Sequence, residues 1–404
     1  MHAPVGYLIS TVVLALWTLL AVVPPRPRHS SASNRTFLFS CLPNELPFLG
    51  LYWLVASTAL ALTEGAVRSW LGRGALAVAA ASAGMLLLAA WRGFQTRPVV
   101  DAALDAALGS GWRATIDPAL AAHLRRRPPY ARILLAPFAV RRRDVERIAN
   151  IRYGDAGRSN LLDVYRHRSR PLGCPAFVYF HGGGFHSGRK SKEARALLYR
   201  LASQGWLCIG ANYRLSPAAR FPDHLVDAKK VIAWARTEGR EYGADPGVVF
   251  VAGSSAGGNL AATAGLTPNE PRFQPGFEHL DTSVTAVVSL YGYYGSYGGS
   301  SGDPSSPASY LHRDAPPFFA AHGTNDTMVL VEDARAFVQT LSSASANTVV
   351  YAELPGGQHA FDLFESPRFA SVIDGIEAFA AQVRSRPGAA GTTTEAQSSF
   401  QPSI

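Results

Sequence analysis

The stretch Gly253-Ser254-Ser255-Ala256-Gly257 carries the strongest chemical signal in this sequence. Glycines two before and two after Ser255 let backbone pass close to backbone, so a strand can turn sharply into a helix and push the middle residue out of the fold. A serine there presents its hydroxyl at the carboxyl end of a strand and at a helix N-terminus, where partial positive charge favours a developing anion. Ser254 points elsewhere on such a corner. Read alone, the stretch is equally a glycine-rich turn with incidental serines. A hydroxyl is a poor nucleophile at neutral pH, so the chemistry needs a neighbouring base and an anion that holds the base in one tautomer.

The partners fall in order along the chain. Among the 11 histidines, only His322 and His359 lie beyond the starts of the two later strand-like runs, and only His359, in "LPGGQHAFD", has a carboxylate-bearing strand end before it. Asp326, in "AAHGTNDTMVL", falls in the turn after the preceding strand, whereas Glu332 and Asp333 fall inside the next helix. Asp at such a position is also a favoured helix N-cap, and a loop histidine without context is usually ordinary surface. In "VYFHGGGFHSG", Gly182, Gly183 and Gly184 directly follow a strand. Consecutive glycines are costly in backbone entropy unless free amides are wanted. Their N–H groups, with that of Ala256, can cradle the oxyanion of a tetrahedral intermediate. Together, in this order, the four parts predict a serine hydrolase working through an acyl-enzyme.

The elements that must position these residues are legible from about residue 147 onward. Apolar runs "CPAFVYF", "WLCIGANY", "VVFVAG", "VTAVVSLYG", "PFFAAHG" and "TVVYAELPG" alternate with helix-like segments such as "SKEARALLYRLASQG", "HLVDAKKVIAWARTEGREYG" and "VEDARAFVQTLSSA". That alternation predicts an α/β fold, a mostly parallel sheet flanked by helices, over residues 146–386. Ahead of it, "RIANIRYG" and "LLDVYRH" flank "DAGRSN" and read as an antiparallel hairpin on the sheet edge. Residues 293–313 are a polar, Gly/Ser-rich excursion, and 387–404 read as a disordered tail.

The first 98 residues have a different character. Of the 404 residues, 48% are hydrophobic and 17% charged, too apolar for disorder and rich for a purely soluble chain. Residues 5–23 carry no charge and as a helix would reach about 28 Å, close to a hydrocarbon core. Runs at 46–62 and 75–91 complete an expected three-span membrane region; the third is weaker because alanine gains little from lipid, although Ala80 and Gly84 would let another helix approach closely. A cleaved signal peptide fits less well, because Met1-His2-Ala3-Pro4 offers no basic segment and "AVVPPRP" no small-residue cleavage site. Arg26, Arg28 and Arg35 follow the first run, Arg68 and Arg73 the second, and Arg92 and Arg97 the third. With three spans, the first loop and the rest of the chain share a basic side, which predicts a multi-pass protein of the cell membrane with a cytoplasmic catalytic domain.

The net charge of +9 does not point to nucleic acid, because the arginine blocks at 125–127 and 141–143 lie beside the spans without an aromatic stacking platform. They face either anionic headgroups or solvent. Residues 99–145 read as a helical linker and are the candidate cap over the site. Cys41, Cys174 and Cys208 match neither a zinc site nor a disulfide framework.

Residues from about 147 to 385 resemble the hormone-sensitive-lipase-like branch of the α/β-hydrolases, which includes bacterial family IV carboxylesterases and arylacetamide deacetylase. The resemblance rests on "HGGGF" (181–185), "NYRLSP" (212–217), "GSSAGGNLA" (253–261), "HGTNDTMV" (322–329) and "GGQHAF" (356–361). It implies an α/β-hydrolase fold with Ser255 as nucleophile, Asp326 as acid, His359 as base and Gly183, Gly184 and Ala256 as oxyanion donors, with no metal or organic cofactor. The family usually has Asp where Ser254 stands and often Glu where Ala218 stands. The expected activity is hydrolysis of small-molecule or lipid esters by a membrane-anchored carboxylesterase or lipase. An amidase or deacetylase, or a lipid transacylase, would use the same triad, since these differ in who attacks the intermediate. A binding protein on a dead hydrolase scaffold would have lost the base or the nucleophile, and this chain keeps both. Tyr291, Tyr293 and Tyr294 either line an approach to the site or pack after a strand.

Overall fold

The computed structural model describes residues 5–25, 30–124, 127–298 and 302–386. Arg26, Arg28, Arg125, Arg126 and the expected tail at 387–404 lie outside the described residues.

Among the described residues the chain opens with the helices α1 (Val5–Val22), α2 (Ser30–Glu45), α3 (Pro47–Thr63) and α4 (Trp70–Phe94). α1 and α3 both pack against α4, where Leu14, Leu54, Ala79 and Leu86 are buried together. By length and composition two stretches, Val5–Val22 and Trp70–Leu108, are apolar enough to cross a membrane, or three if Arg35–Glu45 and Pro47–Thr63, which meet at 75°, count as one. The face that α4 turns to its neighbours differs from the expected one. Ala80 and Gly84 are exposed, while Ala75, Ala79, Ser82, Leu86 and Ala89 are buried. The close approach comes from Gly50 of α3, where an added Cβ would lie 2.9 Å from Leu86 Cδ1.

The next segment holds α5 (Thr96–Leu108), α6 (Pro118–Ala121) and α7 (Tyr130–Leu135). Its first helix packs into the core of the sheet. Val100 and Leu104 are buried in the core, and α5 lies along β8 (Val349–Leu354) and the helix α12 (Pro367–Arg384). Gly375 of α12 opens the slot that receives Val100, since a Cβ there would come within 2.3 Å of Val100 Cγ1. The apolar face of α5 thus holds this segment against one flank of the sheet.

The sheet comprises β1 (Val145–Arg152), β2 (Leu161–His167), β3 (Cys174–Phe180), β4 (Leu207–Ala211), β5 (Ala244–Ser254), β6 (Ala286–Leu290), β7 (Phe318–Gly323) and β8, in the order β1-β2-β4-β3-β5-β6-β7-β8. β1 and β2 form the expected antiparallel edge hairpin, β2 meets β4 antiparallel, and all remaining pairs are parallel. β3, β4, β6 and β7 are buried at every position, as strands covered on both faces must be, which explains their unbroken apolar runs. α8 (Arg195–Ser203), α5 and α12 cover one face, and α9 (Asp223–Arg236), α10 (Ala256–Leu266) and α11 (Val331–Ala344) cover the other.

The chain leaves β3 toward β4, returns across β3 to β5, and then proceeds toward β8. The carboxyl ends of β3 and β5 therefore border the point where strand order reverses, the place where a crevice opens in such sheets. At that end β5 turns into α10 so tightly that a Cβ on Gly257 would lie 2.1 Å from the Phe180 carbonyl oxygen, and one on Gly253 would lie 2.0 Å from the Gly257 carbonyl oxygen. Gly257→Ala is expected to destabilise the protein by about 3 kcal/mol, because the backbone that obstructs the methyl belongs to the central strand. Equilibrium urea unfolding checks this, and wild-type stability would show that the corner tolerates a side chain.

Candidate active site

Ser255 stands between β5 and α10 with φ 54 and ψ -117, a conformation that costs a non-glycine residue on the order of 1–3 kcal/mol unless its surroundings impose it. They do: its N–H donates to the Leu290 carbonyl at 3.0 Å and its carbonyl accepts from Tyr293 N at 3.1 Å. The hydroxyl is thereby turned into a cavity of about 800 Å³ that opens beside the glycine loop after β3.

His359 comes from the connection between β8 and α12, and its Nε2 lies 3.0 Å from Ser255 Oγ. Its Nδ1 lies 2.8 Å from Asp326 Oδ2. Asp326 Oδ1 accepts from the amides of Met328 and Val329 at 2.8 and 2.9 Å, so the residue also caps its own turn, and His322 Nε2 approaches Oδ2 at 3.3 Å. Burial opposes the charge on Asp326, but the His359 charge and hydrogen bonds from His322 and His359 outweigh it and hold the carboxyl well below its ordinary range. An ionised carboxylate only accepts, so Nδ1 of His359 carries the ring proton and Nε2 turns its lone pair to the serine hydroxyl. The structure therefore brings the three expected side chains into one line of hydrogen bonds. Glu332 and Asp333 are exposed on α11.

The amides sort themselves equally clearly. Gly182 N donates to Glu193 Oε2 at 2.5 Å, and Ser255 N is engaged by Leu290. Among the described residues, no hydrogen bond engages the amides of Gly183, Gly184 or Ala256. Gly183 has φ 119, open only to glycine at low cost, and a Cβ there would meet the Ser187 carbonyl oxygen at 2.2 Å.

Two carboxylates that the sequence reading did not single out lie beneath this arrangement. Asp362, three residues after His359, accepts from Ser254 Oγ at 2.7 Å and Tyr179 OH at 3.0 Å, and also from the Tyr291 hydroxyl. It brings from another loop a carboxyl to position 254, where the resemblance would place an Asp. Burial is the main cause that raises the Asp362 carboxyl, with its hydroxyl partners offsetting part of the effect. Glu193 is pushed up to about 7, by burial first and then by the charge of Asp362, with the Gly182 amide and Lys192 opposing. Only Glu193's place shortly after the glycine loop hinted at this in the sequence.

Phe37 and Leu38 of α2 line the cavity together with Tyr291, Tyr293, Met328, Val329 and Leu363, and no described residue of 99–145 does so. The N-terminal contribution to the cavity wall thus comes from α2, a loop between spans on the sequence reading. Tyr294 instead stacks on Phe337 with ring centroids 4.0 Å apart. Among the described residues, no group of three or more His, Cys, Asp or Glu side chains is arranged to hold a metal.

Comparison with known proteins places these features in context. The family model BD-FAE matches residues 162–295. Over 94% of this chain and 93% of the relative, the sequence is 37% identical to the probable carboxylic ester hydrolase LipM of Mycobacterium tuberculosis. It is 38% identical to esterase LipC of the same organism over 61% of this chain and 68% of that one. Among solved structures, a truncated carbohydrate esterase from gut microbiota shares the fold, with a TM-score of 0.51 and 21% identity over 59% of this chain and 99% of that one.

The raised Glu193 carboxyl makes a prediction about stability. Its ordinary value is 4.5 and its folded value about 7, so across that window the native protein holds a proton that the unfolded chain has released. Stability from this group therefore falls as pH rises through the window and is flat above it. Glu193→Gln keeps an acceptor for Gly182 and does not titrate. The Tm difference between variant and wild type should move in the variant's favour from pH 5 to pH 8, and a pH-independent difference would contradict the assignment.

Proposed function

The chain belongs to the hormone-sensitive-lipase-like branch of the α/β-hydrolases, and from that membership we propose a membrane-anchored serine carboxylesterase or lipase that cleaves esters through an acyl-enzyme on Ser255. The carrying observation is the continuous line from Ser255 Oγ to His359 Nε2, 3.0 Å, and from His359 Nδ1 to Asp326 Oδ2, 2.8 Å, beside three amides that no described residue engages.

In this reading His359 Nε2 takes the Ser255 proton as Oγ attacks the ester carbonyl. The amides of Gly183, Gly184 and Ala256 receive the oxyanion, each such donor being worth on the order of 3 kcal/mol to the barrier. His359 then protonates the departing alcohol. Water, deprotonated by the same nitrogen, attacks the acyl-enzyme and releases the acid. Asp326 keeps the imidazole in the required tautomer and stabilises the imidazolium.

The apolar helices support the anchoring part of the reading. As a helix, the 18 residues of α1 reach about 27 Å, and exposed Ile9, Val13, Leu16, Trp53, Val55 and Leu87 present apolar surface outward. With α1, α3 and α4 as three spans, α2 and the hydrolase region fall on the side that holds Arg35, Arg92 and Arg97, which the positive-inside tendency makes cytoplasmic. The cavity then opens close to lipid, and Phe37, Leu38, Met328 and Leu363 in its lining favour lipid-soluble esters as substrates.

Full-length protein in detergent should turn over p-nitrophenyl esters of graded acyl length and take a fluorophosphonate label. Ser255→Ala should lose the label and at least about 10⁴-fold in kcat while unfolding at the wild-type temperature. Substantial turnover by that variant would refute the nucleophile assignment.

A further inference from the structure

His359 lies in an irregular connection between β8 and α12, and irregular backbone must be held from outside if a side chain on it is to keep a fixed place. A displacement of about 1 Å in a catalytic group can cost on the order of 10²-fold in rate, so what grips this loop matters to the reaction.

Part of the grip comes from the hydrolase region. Gln358 Oε1 accepts from Thr327 N and His359 N, both at 2.9 Å. The rest comes from one stripe of α2, at positions 37, 40, 41, 44 and 45, the spacing of a single helix face. Phe37 meets the His359 ring edge-on with centroids 5.8 Å apart. Ser40 Oγ accepts from Gln358 Nε2 at 3.0 Å, and Cys41 Sγ lies 3.9 Å from the His359 carbonyl oxygen. Asn44 Nδ2 donates to the Gly356 carbonyl at 2.8 Å.

Glu45 closes both ends of the loop. Its Oε2 accepts from Ser366 Oγ at 2.8 Å, and its Oε1 from Arg368 Nη1 at 3.2 Å. Arg368 Nη2 reaches back to the Pro355 carbonyl at 3.0 Å, and Ser366 caps α12 through Phe369 N at 3.0 Å. Glu45 and Arg368 are each 1% exposed. A buried ion pair is a poor way to gain stability compared with apolar side chains of the same volume, and its best-attested use is to fix register. The other side of α2 carries Leu42 and Pro43, which with Leu46 just after the helix line an apolar groove with Leu14 and Trp17 of α1 and Trp53 of α3.

We propose that Glu45 and Asn44 are positioning residues for His359, and that α2 is the strut through which the N-terminal helices hold the base of the reaction in place. The proposal rests on the reading of His359 as that base. The N-terminal region then belongs to the catalytic unit as well as to the anchor.

The test uses full-length enzyme in detergent, with competent sites counted by fluorophosphonate titration so that kcat refers to folded molecules only. Glu45→Gln, which removes the charge but keeps a partner for Ser366, and Asn44→Ala, a milder change expected to fold in any case, should each lower kcat per site at least tenfold. KM for a short ester should stay within twofold, and the acidic limb of the kcat/KM profile should shift. A purely structural role would lower Tm and the number of titratable sites while leaving kcat per site and the pH profile alone. Wild-type kcat per site in Asn44→Ala, whatever happens to Glu45→Gln, overturns this inference and leaves the esterase reading standing. Turnover surviving in His359→Ala would remove the base and this inference with it.

Discussion

The site depends on one constrained backbone position. Ser255 is held at a positive φ because its amide and carbonyl are bound by residues 290 and 293 and because the glycine at 257 lets α10 start against the β3 carbonyls. Once the backbone fixes where the hydroxyl stands, the imidazole and the amides must be delivered to it. Strand order does this for the amides: β3 and β5 are neighbours, so the glycine loop after one and the serine after the other share a crevice without any side chain having to reach. The imidazole of His359 arrives from the far end of the chain, on a loop with little regular structure of its own.

Electrostatics divides three acidic groups around one imidazole. Asp326 is lowered, against burial, by the His359 and His322 rings beside it. Asp362 is raised despite three hydroxyl partners, because burial dominates, and Glu193 is raised by burial and by Asp362 in turn. The carboxyl whose surroundings favour its charged form is the one on His359 Nδ1, while the two beneath the elbow, whose surroundings disfavour charge, serve as hydrogen-bond anchors for Ser254 and Gly182. Environments that push like groups apart in this way let neighbouring carboxyls take separate tasks.

What was legible in the sequence is what local backbone rules dictate. The strand-glycine-serine-glycine-helix corner, the triple glycine after a strand, and a strand-end Asp and His in order all require particular residues at particular spacings. The strand runs were readable because burial on both faces removes polar alternation. Strand order is a long-range property and left no local trace. The bond between Asp362 and Ser254 spans 108 residues of sequence, and a lone Asp after "HAF" does not announce its partner. The stripe of α2 was hidden because its partners are loop carbonyls, a glutamine and an arginine, so Ser40, Asn44 and Glu45 look like ordinary loop polarity. The small pair at 80 and 84 misled because spacing alone does not say which side of a helix faces its neighbours; that depends on where Leu14 and Leu54 press.

The loops that carry Asp326 and His359 both touch the N-terminal helices. Asn325, next to Asp326, donates to the Val22 carbonyl at the end of α1 at 3.4 Å, and Arg92 of α4 donates to that same carbonyl at 2.8 Å. Arg92 also runs beside Gly356, where a Cβ would come within 2.7 Å of its Cδ. A helix end exposes carbonyls without intrahelical partners, and a loop at the rim of a sheet exposes amides and carbonyls of its own. Here each satisfies part of the other's need. The two walls of the cavity consequently have different owners: the amide wall from Gly182 to Gly184 is braced within the hydrolase region by Glu193, and the wall at Phe37 and His359 is shared with helices that lie against α1, α3 and α4. A substrate bound across that seam would be in contact with both, which ties the geometry of ester cleavage to the packing of the apolar helices.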